Sequence, residues 1–210
     1  MRASSSSPPR LAICSCARAR LRLCASFRKR RASASNGLLG TIAAADEALL
    51  VAAARLRSPE VDRGVTSYSR LGNSGLGWVV LGVAVSLAKR DARPAIATAV
   101  AVWGTLGVNY GVKLIAKRER PNLEDAPQTI EAPTSSSFPS SHAAMSAAAA
   151  VVLGDAVPFA RLPLKLAAVS MAYTRVHLGV HHPSDVVAGY MLGAVTGRVA
   201  RLFVPARRRR

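Results

Sequence analysis

The chain has 210 residues, of which 50% are hydrophobic, and its 29 Lys and Arg against 11 Asp and Glu give a net charge of +18. This apolar content excludes a disordered basic protein, and an aromatic content of 5% leaves out the stacking platforms of single-strand nucleic-acid binders. The length suits a single domain.

The positive charge lies mainly at the two ends of the chain. Residues 1–44 hold nine Arg and Lys and no acid, and the last four residues are all Arg, so these two segments carry 13 of the 18 net charges. Between them lies a body rich in Ala, Val, Leu and Gly. Basic termini beside an apolar body are typical of a membrane protein, and we expect no nucleic-acid partner.

Residues 1–37 are rich in Arg and Ser and poor in acid. Two interpretations are open: an organelle transit peptide, and an upstream-misassigned start of a bacterial gene. We expect 1–37 to be a basic, disordered tail or targeting segment, 38–204 to form the membrane domain, and 205–210 to be a basic tail. All three cysteines fall in the first segment, which excludes a disulfide framework or a Cys-ligated zinc site in the body.

Six apolar segments follow in chain order. Residues 71–88 and 94–112 carry no charge over 18 and 19 residues, and as helices they are about 27–29 Å long, enough for a hydrocarbon core of ~30 Å. Residues 38–56 carry Asp46 and Glu47 at their middle, so this segment either crosses the membrane or lies in the interface. We predict an all-α, multi-pass transmembrane bundle of five or six helices. The remaining segments are 142–157, 164–177 and 183–204.

Small residues are frequent in these segments. In lipid, small side chains allow helix backbones to approach each other closely. We therefore expect close helix packing at residues 147–150, Gly104, Gly107, Gly111, Gly189 and Gly193.

Loop charges indicate which polar regions share a side of the membrane. If all six segments cross, residues 89–93 and 161–165 lie on the cytoplasmic side, as the positive-inside rule requires. The 25-residue loop 117–141 and the turn 177–185 then lie together on the other side. This grouping holds whether or not residues 38–56 cross, and a loop this long is usually functional or disordered.

Chemically reactive residues collect at the ends of apolar segments on that second side. They comprise four histidines, three cations and a carboxylate: His142, His177, His181, His182, Lys113, Arg120, Arg175 and Asp185. Cations and imidazoles that converge beside one carboxylate describe an anion site with acid and base groups. The natural anion for such a site is phosphate.

The spacing of these residues resembles a family pattern. The three runs are Lys113-x6-Arg120-Pro121, Pro139-Ser140-Ser141-His142 and Arg175-x5-His181-x3-Asp185. In order and separation they resemble the signature motifs of the type 2 phosphatidic acid phosphatase family, integral membrane branch, over about residues 70–200. Two positions depart from that pattern, since Ser141 replaces the usual Gly and Thr174 the usual Ser. We expect neither change to abolish activity.

The resemblance implies a mechanism and a set of roles. His181 would be the nucleophile that forms a phosphohistidine, Asp185 would orient it, and His142 would act as general acid and then as general base. The phosphoryl oxygens would be held by Lys113, Arg120, Ser140, Ser141 and Arg175. We expect no metal and no cofactor, because these cations supply the electrostatic stabilisation. The function implied is hydrolysis of a terminal phosphate from a lipid phosphate or diphosphate, phosphatidate-like or polyprenyl.

Plainer interpretations of the cations and serines stay open. Lys113 and Arg120 also suit cations that extend from a helix end towards the membrane surface. Ser140 and Ser141 also suit a helix N-cap. Lys117 and Arg118 are expected to be solvated loop charges.

The two other histidines have alternatives of their own. His177 and His181 are four residues apart and suit a metal pair, although no third ligand of standard spacing accompanies them. We expect instead that His177 and His182 shape the site or meet the lipid headgroup.

Rival functions differ in what they require of the chain. The charge-free spans disfavour a soluble phosphomonoesterase, and the short chain disfavours a vanadium haloperoxidase. A non-catalytic transporter or binding protein for an anionic lipid headgroup needs positive charge but no oriented imidazole, so His181 and Asp185 favour the enzyme. We expect a bacterial plasma-membrane protein with an extracytoplasmic site, with an organelle membrane as the alternative. The lipid and the oligomeric state are open.

Overall fold

The computed structural model describes residues 37–131 and 134–204, and this part of the chain is helical. It holds seven α-helices and two short 3-10 helices, without a β-strand. The predicted all-α fold is therefore confirmed, whereas the predicted count of five or six helices is not, since the described residues form seven. The α-helices are α1 (Leu38–Ala54), α2 (Pro59–Leu71), α3 (Leu76–Lys89), α4 (Arg93–Ala116), α5 (Ser141–Ala156), α6 (Arg161–His177) and α7 (Pro183–Phe203).

The helix that the search for apolar segments missed is α2. Its polar sequence contains no apolar run, but it begins with standard start signals: the Ser58 hydroxyl accepts from the N–H of Val61, Pro59 follows, and Glu60 and Asp62 lie in the first turn. A short break then separates α2 from the following helical stretch, which is bent by 46° relative to it. Ser74 and Gly75 in the break have positive φ angles of 52° and 71°.

Contacts within the chain divide it into two compact units, residues 1–45 and 46–210. In the first unit the structure describes only residues 37–45, which contain the start of α1. The second unit holds the helix bundle. Predictions for residues 1–36 and 205–210 lie outside the described residues, and the predicted domain boundaries stay predictions.

The bundle is built around α5, which packs against α4, α6 and α7. Residues 143–150 of α5 are all buried. On the facing side of α7, a Cβ at Gly193 would lie 1.9 Å from the Ala144 carbonyl oxygen, so no larger residue fits there without a shift of the backbone. Close packing is therefore present at Gly193. It is also present at Gly189, where a Cβ would lie 2.4 Å from the main-chain carbonyl oxygen of Ser140.

Three other glycines do not pack as predicted. A Cβ built at Gly104, Gly107 or Gly111 of α4 would meet no heavy atom within 4 Å, and all three residues are exposed. The sequence pattern does not distinguish glycines that face the bundle from glycines that face outwards. The rotation of each helix about its own axis in the fold decides which side a glycine takes.

The outer faces of the bundle are apolar. Large exposed side chains include Leu76 and Val80 on α3, Val100 on α4 and Val195 on α7. Among the described residues, α4 and α7 are long and apolar enough to cross a membrane, and the bent pair that α2 forms with the helical stretch Asn73–Lys89 adds a third candidate if it is one span. An all-helical bundle with apolar outer faces is the architecture expected of a membrane protein.

Candidate active site at one end of the bundle

Four helix ends bring the predicted motifs together. Lys113 lies in the last turn of α4, Ser140 is the N-cap residue of α5, Arg175 lies in the last turn of α6, and Asp185 lies in the first turn of α7. Hydrogen bonds join these ends, since the Ser140 N–H donates to the Asp185 carbonyl and the Val180 N–H, in the turn before α7, donates to the Arg175 carbonyl. Arg120 and His181 join them from the adjoining loops.

The guanidinium of Arg120 meets the imidazole of His181. Arg120 Nη1 lies 3.1 Å from His181 Nε2 and also donates to the Val180 carbonyl at 2.8 Å. The Ser135 carbonyl accepts from Arg120 Nε at 3.2 Å. Because a guanidinium only donates, Nε2 must be the accepting nitrogen of the ring, and the proton of the neutral imidazole lies on Nδ1.

The second ring nitrogen of His181 faces a hydroxyl and a carboxylate. His181 Nδ1 lies 3.4 Å from Ser137 Oγ and 3.8 Å from Asp185 Oδ2, and Ser137 Oγ in turn donates to Asp185 Oδ2 at 2.5 Å. The spacing of 3.8 Å is longer than a hydrogen bond. Ser137 therefore connects the two residues, a contact that the motif pattern does not contain.

Burial controls the charge of His181. The residue is 3% exposed, and burial lowers the pKa of its imidazole to about 4, with the positive charges of Arg120, Arg175 and Lys113 adding to the effect and the Asp185 carboxylate opposing it. The ring is therefore neutral at pH 7. A neutral imidazole whose Nε2 carries a lone pair and no proton is the form that can act as a nucleophile once the Arg120 donor turns to a bound group.

Asp185 is fully buried and held by several donors. Its Oδ1 accepts from Arg118 Nη1 at 2.5 Å, and its Oδ2 accepts from the His182 N–H at 3.0 Å in addition to the Ser137 hydroxyl. The prediction that Arg118 is a solvated loop charge was wrong, because its side chain is 32% exposed and forms ion pairs with Asp185 and Asp46. Lys117 is exposed, as predicted.

Lys113 and Arg120 line a cavity of about 530 Å³ beside these residues. Lys113 is 6% exposed, and its Nζ donates to the Ser136 carbonyl at 2.5 Å. Its ammonium is thus turned into the protein and not out to the membrane surface. The loop segment 134–136 and Lys117 form other parts of the cavity wall.

The two serines before His142 have different surroundings. Ser140 is buried, and within the described residues its hydroxyl has no hydrogen-bond partner. The Ser141 hydroxyl donates to Asn109 Oδ1 at 2.8 Å. Ser140 occupies the N-cap position of α5 without a side-chain cap bond, so the N-terminus of this helix keeps its electropositive character.

Arg175 is buried next to the end of α2. Its Nη1 donates to the Ser69 hydroxyl at 2.9 Å, whereas its Nε finds no acceptor in the part of the chain that the structure describes. The preceding Thr174 turns its hydroxyl to Ser69 and to the Met171 carbonyl. Thr174 therefore keeps the hydroxyl that the usual Ser would supply at this position.

His142 is held by the break between α2 and α3. Its Nε2 lies 3.2 Å from Asn73 Oδ1, and its ring also hydrogen-bonds the main chain of Ser69. The Ser69 hydroxyl binds Arg175, so His142 and Arg175 share this residue as a neighbour. Sequence reasoning missed Ser69 and Asn73, and the only local signal was the glycine-flanked break at Gly72 and Gly75.

The other two histidines take separate positions. His177 Nε2 pairs with Asp62 Oδ1 at 2.8 Å and does not point towards His181 as a metal partner would. His182 precedes α7 and gives its main-chain N–H to Asp185. Within residues 37–131 and 134–204, no three His, Cys, Asp or Glu side chains cluster as a metal site requires.

The arrangement can hold an anion next to the imidazole of His181. Two buried polar atoms, Ser140 Oγ and Arg175 Nε, have no partner among the described residues and would be satisfied by oxygens of a bound group. Three cations surround the same region. A tetrahedral oxyanion is the ligand that matches several donors around one imidazole.

Known proteins resemble the chain in sequence. The family model of the PAP2 superfamily matches residues 93–209. Decaprenylphosphoryl-5-phosphoribose phosphatase of Mycobacterium tuberculosis is 35% identical over 134 residues, which are 62% of this chain and 73% of that protein. The phosphatase of the same name from Mycolicibacterium smegmatis is 36% identical over 149 residues, 69% of this chain and 81% of that protein.

Two solved structures share the fold. A transmembrane PAP2-type phosphatidylglycerolphosphate phosphatase from Bacillus subtilis aligns with a TM-score of 0.66 at 24% identity, over 90% of this chain and 98% of that one. LpxE from Aquifex aeolicus aligns with a TM-score of 0.62 at 26% identity, over 72% of this chain and 92% of that one. The family model covers more than half of the chain and contains all three motifs. The resemblance seen in the sequence is thus confirmed, and the chain belongs to the PAP2 superfamily.

Proposed function

We propose that this PAP2-type membrane lipid phosphatase removes a terminal phosphate monoester from a polyprenyl-linked phosphosugar or a similar lipid phosphate, through a phosphohistidine at His181. The observation that carries the proposal is the contact between Arg120 and His181 Nε2 at 3.1 Å. A cation aimed at the lone pair of a buried, neutral imidazole would become a ligand of the phosphoryl oxygens once substrate lies between them.

In the first step, His181 Nε2 attacks phosphorus and the bond from phosphorus to the lipid oxygen breaks. His142 enters this step as an imidazolium, the form that the bound phosphate anion stabilises, and gives its proton to that oxygen, which leaves as an alcohol. Through Ser137, Asp185 stabilises the positive charge that develops on the His181 ring. In the second step, His142 takes a proton from water, whose oxygen attacks the phosphohistidine and releases inorganic phosphate and free His181.

The cations would act in both steps. Lys113, Arg120 and Arg175 would hold the equatorial oxygens of the five-coordinate transition state, with the Ser140 hydroxyl and the N–H groups at the start of α5 as further donors. The unpartnered Ser140 Oγ and Arg175 Nε support this assignment. The mechanism needs no metal, since three fixed positive charges stabilise the developing negative charge.

The relatives support the proposed substrate class. The mycobacterial phosphatases are named for decaprenylphosphoryl-5-phosphoribose, and this chain covers 73% and 81% of their lengths. The apolar outer faces of the helices beside the site favour an amphiphile that remains in the bilayer. The cavity beside the site carries Lys117 and Glu119 in addition to the residues proposed for the phosphate, which suits a polar headgroup larger than phosphate alone.

The face of the membrane is a second part of the proposal. The loop 89–93 and the start of α6 carry Lys89, Arg90, Arg93, Arg161 and Lys165, and they lie at the opposite ends of the helices that present the site. The positive-inside rule favours a cytoplasmic position for these loops, and therefore an extracytoplasmic site. The test uses a protein whose three cysteines are replaced by Ser, with one new cysteine, and a membrane-impermeant maleimide in intact cells. Labelling of Glu124→Cys but not of Ala92→Cys would support an extracytoplasmic site. The reverse pattern would put the site on the cytoplasmic face.

The test of the function is phosphate release by the purified protein in detergent. The panel comprises a polyprenylphosphoryl phosphoribose, phosphatidate, phosphatidylglycerol phosphate and undecaprenyl diphosphate, and we expect the first to be hydrolysed with the highest kcat/KM. His181→Ala should abolish release and keep phosphatidate binding in mixed micelles, whereas the matched variant His177→Gln should retain turnover. A wild-type protein that binds phosphatidate but releases no phosphate from any lipid of the panel would favour a binding protein instead.

A further inference from the structure

Asp46 on α1 is a buried carboxylate near the site. It is 3% exposed, its Oδ1 accepts from the main-chain N–H of Ser184 at 2.8 Å, and its Oδ2 accepts from the Ser184 hydroxyl at 2.5 Å. Ser184 lies in the first turn of α7, one residue before Asp185. A carboxylate at this position is stabilised by the free N–H groups at the helix N-terminus.

The third partner of Asp46 is Arg118, whose guanidinium bridges two carboxylates. Arg118 Nη2 donates to Asp46 Oδ2 at 2.8 Å, and Nη1 donates to Asp185 Oδ1 at 2.5 Å. The main chain of Arg118 is held as well, since its N–H donates to Ser136 Oγ at 3.0 Å. The planar fork of an arginine fixes the direction of both bonds at once.

The bridge fixes the plane of the Asp185 carboxylate. Arg118 holds Oδ1, while Oδ2 accepts from Ser137 and lies on the side of His181 Nδ1. Without Arg118 in this position, only the donors on Oδ2 would remain, and the carboxylate could twist about its Cβ–Cγ bond. The orientation of the His181 ring would then lose its support.

We propose that Asp46 is a positioning residue of this phosphatase: it holds Arg118 in place, and Arg118 holds Asp185 in the orientation that supports, through Ser137, the proton on His181 Nδ1, while Arg120 acts on Nε2 from the other side. The proposal rests on the roles given above to His181 and Asp185. In the sequence, Asp46 is only an unfavourable charge at the middle of a segment that could cross the membrane. In the fold, it supports the reactive groups.

A purely structural role is the competing explanation, since Asp46 also ties α1 to the first turn of α7. The two explanations differ in their effect on the imidazole. A structural tie affects the folded fraction and the melting temperature, whereas a positioning role also changes kcat and the tautomer of His181 in protein that is folded. The chain has only four histidines, so the His181 signals in a 15N-histidine spectrum can be assigned by comparison with His181→Gln.

The experiment compares Asp46→Asn and Asp46→Ala with Glu47→Gln as the matched control. Glu47 has the same charge on the neighbouring residue of α1 but is exposed. For Asp46→Asn we expect kcat to fall about tenfold, as when second-layer partners of reactive groups are removed, and KM to change little because Asp46 is not part of the cavity wall. Because only Arg120 would then favour the Nδ1–H form, the 15N spectrum should show an admixture of the Nε2–H tautomer of His181 in both Asp46 variants and the Nδ1–H form alone in wild type and in Glu47→Gln.

Three results would overturn the proposal. They are a folded Asp46→Asn protein with wild-type kcat, a loss of kcat with an unchanged His181 tautomer, and an equal loss in Glu47→Gln. If Asp46→Ala does not fold, Asp46→Asn and Arg118→Lys carry the test, and Arg118→Lys should give the same tautomer mixture because a single ammonium cannot bridge both carboxylates. Failure of the proposed function would appear separately, as a wild-type protein that releases no phosphate from any lipid of the panel, while the tautomer measurement would still report on positioning.

Discussion

The main-chain N–H of Ser140 donates to the main-chain carbonyl of Asp185 at 3.0 Å. This bond joins the start of α5 to the first turn of α7, so the second and third sequence motifs are connected through their backbones and not only through their side chains. Gly189, one turn further along α7, allows the approach, since a Cβ there would lie 2.4 Å from the Ser140 oxygen. The position of Asp185 relative to the anion site therefore depends on the packing of α5 against α7.

Enlarging Gly193 should loosen this packing. In Gly193→Ala the new Cβ would lie 1.9 Å from the Ala144 carbonyl, a backbone atom that cannot move away alone, and we expect a loss of about 1–3 kcal/mol or more in the free energy of unfolding. Gly104→Ala is the matched control, because its Cβ meets nothing within 4 Å and alanine favours a helix over glycine by about 1 kcal/mol. Thermal unfolding in detergent should show a lower midpoint for Gly193→Ala alone. Equal midpoints for the two variants would contradict the helix interface described above.

Ser137 should matter for turnover although it lies outside the motif residues. Ser137→Ala removes the hydroxyl that links His181 to Asp185 and leaves the buried carboxylate with one donor fewer, which costs about 1–3 kcal/mol. We expect kcat to fall by about tenfold or more with a small change in KM. Ser67→Ala, an exposed serine on α2, is the control. Normal kcat in Ser137→Ala would mean that His181 reaches Asp185 directly during turnover.

The protonation of His181 should occur at unusually low pH. Burial lowers the pKa of His181 to about 4 and nearby cations contribute, so the ring stays neutral from pH 7 down to about 5 and gains a proton only near 4. Removing one cation in Arg120→Gln should raise the pKa, because the imidazolium is then repelled less. A 15N-histidine titration measures both values directly. A wild-type midpoint near the ordinary 6.5 would show that the ring is more solvated than described.

The requirement for His142 should depend on how readily the leaving group departs without a proton. An alcohol leaves slowly unless it is protonated, whereas an aryl oxygen leaves as an anion, so His142→Ala should lose about 10²-fold or more on an alkyl lipid phosphate and much less on an aryl phosphate. His181→Ala should lose activity on both. The ratio of kcat/KM for the two substrates is the measurement. An equal loss on both substrates would place His142 outside the protonation step.

Chelation should leave the activity unchanged. Lys113, Arg120 and Arg175 provide fixed positive charge at the site, so turnover in EDTA should equal turnover in buffer. Phosphate release before and after dialysis against EDTA is the measurement. If EDTA removed the activity and added magnesium or zinc restored it, the three cationic side chains would be insufficient without a metal.

Much of the fold could be read from local patterns. Each of the six apolar segments corresponds to a helix, because length and absence of charge report directly on what a segment can bury or expose to lipid. Helix α2 was missed for the same reason, since a helix that is polar overall carries no such signal. The residues it contributes to the site, notably Ser69 beside Arg175, were missed with it.

The sequence by itself determined the chemistry of the site: three spaced motifs supply the imidazoles, the cations and the carboxylate, and their spacing identifies the family. Only the tertiary structure decided which further residues support them, because contacts such as those of Arg118 with Asp46 and of Ser137 with Asp185 join positions 72 and 48 residues apart. Local propensity and periodicity extend over a few turns of helix. Whether a charge such as Asp46 is exposed or paired in the interior is decided by how distant helices pack, and that information is not contained in the neighbouring residues.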